Sequence, residues 1–84
     1  MIRIKEMKIL PDFILDITFD DNKRVWYDVK EDMEEIPSYE DLRRINGLFD
    51  QARIDASRTC VVWNSEIDLP SDILYEYGKT AALS

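Results

Sequence analysis

The chain has no histidine and one cysteine, and only two glycines and three prolines punctuate its 84 residues. Without histidine there is no Ser-His or Cys-His dyad and no imidazole metal ligand, and the commonest general base is missing. A single cysteine closes no internal disulfide, which excludes a stapled secreted scaffold and makes the reducing cytoplasm the expected compartment. Cys60 lies in an apolar strand pattern with no base near it in sequence, the setting of a buried structural thiol rather than a nucleophile. Gly47 and Gly78 stand alone, so there is no glycine-rich phosphate cradle. Long apolar runs are lacking too. No segment approaches the ~20 residues that span a bilayer, and M-I-R-I-K-E-M-K, residues 1–8, is broken by charge too often for the apolar core of a signal peptide.

Positive charge is scarce. Eleven basic residues against eighteen acidic ones give a net charge of -7. Between Asp28 and Asp41 stand Asp28, Glu31, Asp32, Glu34, Glu35, Glu40 and Asp41 against Lys30 alone, and this segment supplies most of the imbalance. Such a surface repels phosphate backbones and anionic lipid, so neither independent nucleic-acid binding nor membrane association is expected. The 45% hydrophobic content is enough for one core. A chain of this length is too short for a second, so residues 1–84 are read as a single domain without an interdomain cleft.

Periodicity predicts an α+β fold. In F-I-L-D-I-T-F, residues 13–19, Phe13, Leu15, Ile17 and Phe19 alternate with Ile14, Asp16 and Thr18, as in a strand with one buried face. R-V-W-Y-D-V, residues 24–29, repeats the pattern with Val25, Tyr27 and Val29. A three-residue loop, Asp20-Asp21-Asn22 with Asn22 left-handed, pairs Ile17 with Val25 and Leu15 with Tyr27, placing both apolar sets on one face. A two-residue loop would turn one set outward. Residues 2–9 form a first strand ended by Leu10-Pro11-Asp12. K-E-D-M-E-E, residues 30–35, reads as a solvated acidic loop. A short helix follows, capped by Ser38, stopped at Asn46-Gly47 and carrying Tyr39, Leu42 and Ile45 at helical spacing. Residues 52–55 and 59–63 suggest a second hairpin. A last helix runs from Pro70-Ser71-Asp72 to Gly78 and buries Ile73, Leu74 and Tyr77, ahead of a frayed tail, K-T-A-A-L-S. The expected architecture is a small antiparallel sheet of two hairpins, about five strands, with two short helices in the order β-β-β-α-β-β-α.

Few residues offer chemistry. D-D-N-K-R, residues 20–24, starts like a calcium loop but lacks the later ligands, the glycine and the closing glutamate. No metal site and no cofactor are expected. Asp16 and Asp28 share the outer face of the first hairpin, with Asp16 opposite Trp26. Paired carboxylates suit a hydrolase, but an open, solvated sheet face supplies little of the desolvation such chemistry needs. Trp26 on that outer face, beside Glu31, Asp32, Glu34 and Glu35, has the composition of an interface anchor with an acidic rim.

R-I-D-x(4)-C-V-V-W-N-S-E-I-D-L-P-S-D-I-L-Y, residues 53–75, together with the preceding hairpin and short helix, resembles bacterial domain-of-unknown-function family 2442, and the likeness spans nearly the whole chain. On that resemblance Trp63, Asp68, Leu69, Leu74 and Tyr75 take recurrent positions of a corner leading into the last helix. Asn22 replaces the first turn's glycine. Glu66 stands where the family usually has glycine, which implies a different turn shape if that position needs positive φ. Relatives occurring alone, fused to helix-turn-helix domains or encoded beside small toxin-like proteins imply an adaptor or antitoxin-like binding role.

The corner itself reads as structural, with Trp63 closing an apolar strand and Asp68 accepting amides of the last helix's first turn. The expected function is a non-catalytic protein-interaction module for a small basic partner; a homo-oligomer is compatible with the sequence. The alternatives are a small-ligand sensor and, further off, a carboxylate-dependent hydrolase.

Overall fold

A computed structural model describes residues 2–80. Strands β1 (Ile4–Leu10), β2 (Ile14–Phe19) and β3 (Arg24–Asp28) are followed by α1 (Lys30–Glu35), a 3-10 turn (Pro37–Glu40) and α2 (Asp41–Arg44). After a second 3-10 turn (Phe49–Gln51) come β4 (Arg53–Ile54), β5 (Cys60–Val62), β6 (Asp68–Pro70), α3 (Ser71–Tyr77) and β7 (Lys79–Thr80). The fold is α+β. It holds two antiparallel sheets rather than one, ordered β1-β2-β3-β7 and β4-β5-β6.

The first hairpin follows its sequence logic. Asn22 has φ 73°, the Phe19 amide donates to Lys23 O at 2.8 Å, and Ile17 pairs with Val25 and Leu15 with Tyr27. Leu15, Ile17, Phe19, Val25 and Tyr27 thereby line one face, where they meet Ile4, Val29, Met33, Leu42, Val61, Trp63 and Leu74 in a common core. The preceding turn is tighter than alternation suggests. Asp12 and Phe13 both have positive φ, which takes Phe13 out of the strand and sets its ring edge-on to Phe49, centroids 5.1 Å apart.

Several expectations give way to tertiary contacts. Residues 30–35 are helical rather than a loop, because Met33 reaches the core, the Asp28 carboxylate accepts the Lys30 amide and Glu31 and Asp32 complement the amino end. Ser38 caps nothing; it lies within the Pro37–Glu40 3-10 turn, which has no side-chain cap bond. Ile45 is exposed, since α2 ends at Arg44 and the chain turns extended there. Gly47 then supplies the left-handed residue, φ 85°.

The corner after Trp63 is a hairpin turn, not a direct step into a helix, because β6 intervenes. Asn64 Oδ1 accepts the Glu66 and Ile67 amides at 2.8 and 2.9 Å, and the Trp63 amide donates to Ile67 O. Glu66 is not among the residues of positive φ, so the turn accepts a side chain there without strain. Asp68 does not cap α3, which has no side-chain cap bond. Strand alternation turns Leu69 inward and leaves Asp68 exposed, while the Asp68 carbonyl accepts the Tyr39 hydroxyl.

In α3, Leu74 is buried but Tyr77 is not. The buried stripe runs through Ser71 and Leu74 to Gly78, where an added Cβ would lie 2.6 Å from Leu74 O and 2.7 Å from Val25 Cγ2. That close approach of backbone to β3 rotates Tyr77 outward. It also places Lys79 and Thr80 as β7 beside Trp26 and Val25, where a frayed tail was expected; residues 81–84 lie outside the described residues. Among the described residues no helix is long and apolar enough to cross a membrane.

Candidate functional site

Strand pleat decides what the outer face of the first sheet presents. Asp16 lies directly across from Trp26 on β3 and from Lys8 on β1. It is not a solvated carboxylate: only 5% exposed, it accepts Arg24 Nε at 2.8 Å and Arg24 Nη2 at 2.6 Å. These bonds hold the Asp16 carboxyl below its ordinary pKa, against the opposing pull of burial. Asp28 pairs with Lys30 at 3.1 Å, and Lys30 also engages Asp12 at 2.9 Å. The two aspartates are thus engaged separately, Asp16 by Arg24 and Asp28 by a lysine it shares with Asp12.

Trp26 is 47% exposed. A cleft of about 300 Å³ opens beside it, lined by Trp26, Tyr27, Asp28, Glu31, Glu35, Tyr77 and Lys79. Three independent pieces of the fold build it. The β3 pleat turns Trp26 out, α1 carries Glu31 and Glu35 one turn apart, and the end of α3 with β7 brings Tyr77 and Lys79 across. Of the acids proposed from sequence, Glu31 and Glu35 meet Trp26 here. Asp32 instead accepts the Tyr27 hydroxyl at 2.7 Å and ties α1 to β3; burial, and after it that bond, push the Tyr27 phenol well up. Glu34 is exposed outside the cleft lining. Sequence reasoning missed Tyr77 and Lys79, one assigned to the core and the other to a frayed end.

The corner residues do structural work. Trp63 is buried, its indole N–H donating to Phe49 O at 3.1 Å. Leu69, opposite Val61 on β5, is buried in the same core. Tyr75 packs edge-on against Phe19 and donates its hydroxyl to Asp21 at 2.6 Å, clamping α3 to the first hairpin turn; that bond lowers the Asp21 pKa. Tyr39, buried near Asp32 and Asp68, has its phenol pushed up to about 12. Cys60 is half-buried, less than a core thiol would be. Its pKa is raised by burial and then by Asp55 and Asp68, opposite to the shift that activates a nucleophile.

Residues 4–80 match the model of the family described as Protein of unknown function (DUF2442). The chain belongs to that family. No curated protein and no solved structure gives a significant match. Within this DUF2442 chain, the corner positions Trp63, Leu69, Leu74 and Tyr75 face the core or the hairpin clamp, whereas Trp26 and its neighbours face outward.

Proposed function

We propose that this DUF2442 domain is a non-catalytic protein-interaction module that docks a small basic partner on the outer face of its first sheet. The observation carrying this reading is the exposed Trp26 in a cleft with Tyr77 and the Glu31 and Glu35 carboxylates. A large rigid aromatic flanked by acids is the composition of an interface anchor with an electrostatic rim. The lack of histidine and the engagement of Asp16 and Asp28 by different cations support a non-catalytic role. The small-ligand alternative has less support, since the clefts of about 250 and 300 Å³ fall at or below the lower end of ligand pockets, roughly 300 Å³.

Affinity capture from native extract supplies a candidate partner, and surface plasmon resonance at two salt concentrations then tests the surface. Replacing Glu31, Glu34 and Glu35 with Ser should slow association, most at low salt, because exposed charges attract over a Debye length of ~10 Å. Trp26→Ala should mainly speed dissociation and cost about 2 kcal/mol of binding. Kinetics indifferent to salt, to the acids and to Trp26 would remove this face from the function.

A further inference from the structure

The cleft beside Trp26 has a charge pattern that selects its occupant. Asp28 is engaged by Lys30, but Lys30 is shared with Asp12, so this trio keeps a negative charge of its own. Among the described residues no ion pair engages Glu31, Glu35 or Lys79. Glu31 and Glu35 against Lys79 leave the cleft short of positive charge even before the partly balanced Asp28 is counted. Glu31 and Glu35 are i and i+4 on α1, so their side chains rise from one face of the helix, close enough for one cation to meet both. The other walls are aromatic, with Trp26 and Tyr77 both exposed and bordering the same space.

Resting on the interaction-module reading, we infer that this cleft is a subsite for a single arginine side chain of the partner. A planar guanidinium stacks on an indole or phenol face and offers paired N–H donors to carboxylates, whereas an ammonium is more strongly hydrated and meets a carboxylate as a point charge. Placed here, the guanidinium lies against Trp26 and Tyr77 and donates to Glu31 and Glu35, offsetting the excess of carboxylates. The partner's basic character is then read at one position rather than smeared over the acidic surface.

The test is ¹H–¹⁵N NMR on the intact chain with N-acetyl-arginine amide as probe and N-acetyl-citrulline amide, its neutral isostere, as control. Trp26 and Trp63 indole signals are assigned through Trp26→Phe. Arginine amide should produce saturable shifts at the Trp26 indole and the Glu31 and Glu35 amides, with the buried Trp63 indole still. Citrulline amide should not. The double variant E31Q/E35Q should weaken the arginine response about fivefold, as expected for two solvent-exposed ion pairs, and Trp26→Ala should abolish the shifts at the Glu31 and Glu35 amides. Equal responses to both probes, or arginine shifts spread evenly over Glu40, Asp41 and Glu66, would overturn the subsite. So would the absence of any saturable shift. A captured partner that depends on Trp26 while arginine amide leaves the cleft unmoved refutes the arginine subsite and keeps the module. Arginine binding in the cleft without Trp26-dependent partner binding does the reverse.

Discussion

Replacing Arg24 with alanine should be costly in a way that reports on Asp16. The Arg24 side chain is 53% exposed and the Asp16 side chain only 5%, so the two halves of this ion pair are not equivalent. Removing Arg24 strands a buried carboxylate; removing Asp16 leaves a guanidinium that water can solvate. Breaking a fully buried pair costs ~3–5 kcal/mol. Here one partner is half in water and Lys8 stands across the strand, so Arg24→Ala should cost about 2 kcal/mol and Asp16→Ala about 1 kcal/mol at neutral pH. Linkage sharpens the test. In the wild type the Asp16 pKa is lowered, chiefly by the Arg24 hydrogen bonds, so its stabilisation is complete above the unfolded carboxylate pKa of ~3.9 and is lost as the pH falls through the folded value. Without Arg24 burial is the largest influence left, so the folded pKa rises from its wild-type value and the variant is relieved as Asp16 takes up a proton. The gap between wild type and Arg24→Ala should therefore shrink to under about 1 kcal/mol near pH 3. Urea melts at the two pH values, read with unchanged slope, measure it. A gap that stays constant with pH, or an Asp16→Ala cost exceeding that of Arg24→Ala, would refute the stranded-carboxylate reasoning.

Two further predictions concern backbone and burial. Because Asn22 sits at φ 73°, Asn22→Gly should be neutral or stabilising and Asn22→Val should cost on the order of 1 to 2 kcal/mol in urea melts; equal stability would contradict the left-handed turn. Gly78 has φ -67°, so Gly78→Ala meets no conformational barrier, yet its Cβ would lie 2.6 Å from backbone and 2.7 Å from Val25. It should cost about 2 kcal/mol by thermal or urea unfolding, and a change within about 0.5 kcal/mol would show that α3 and β3 are not packed this closely.

Much of this molecule follows from local pattern. Alternation of apolar residues on 13–19 and 24–29, with a turn that only one loop length reconciles with a shared face, sets the first hairpin, its register and the outward side of Trp26. Buried Trp63 and the helix ending at Gly78 are legible for the same reason: strand and helix periods are properties of neighbouring residues. What the sequence does not reveal depends on which side chains meet once separate elements pack together. Asp16 looks solvated until Arg24 is placed over it. The acidic run looks like a loop until Met33 finds the core, and Asp32 looks like rim charge until it meets Tyr27. Tyr77 sits at core spacing by count, but the approach of Gly78 to Val25 turns it outward, and that same contact carries Lys79 to the side of Trp26. Local chemistry determined which faces are apolar. Only the packing of α3 and β7 against β3 decided that Trp26, Tyr77, Glu31 and Glu35 border one cleft, because no periodicity along the chain relates residues whose proximity exists only after the sheet has closed.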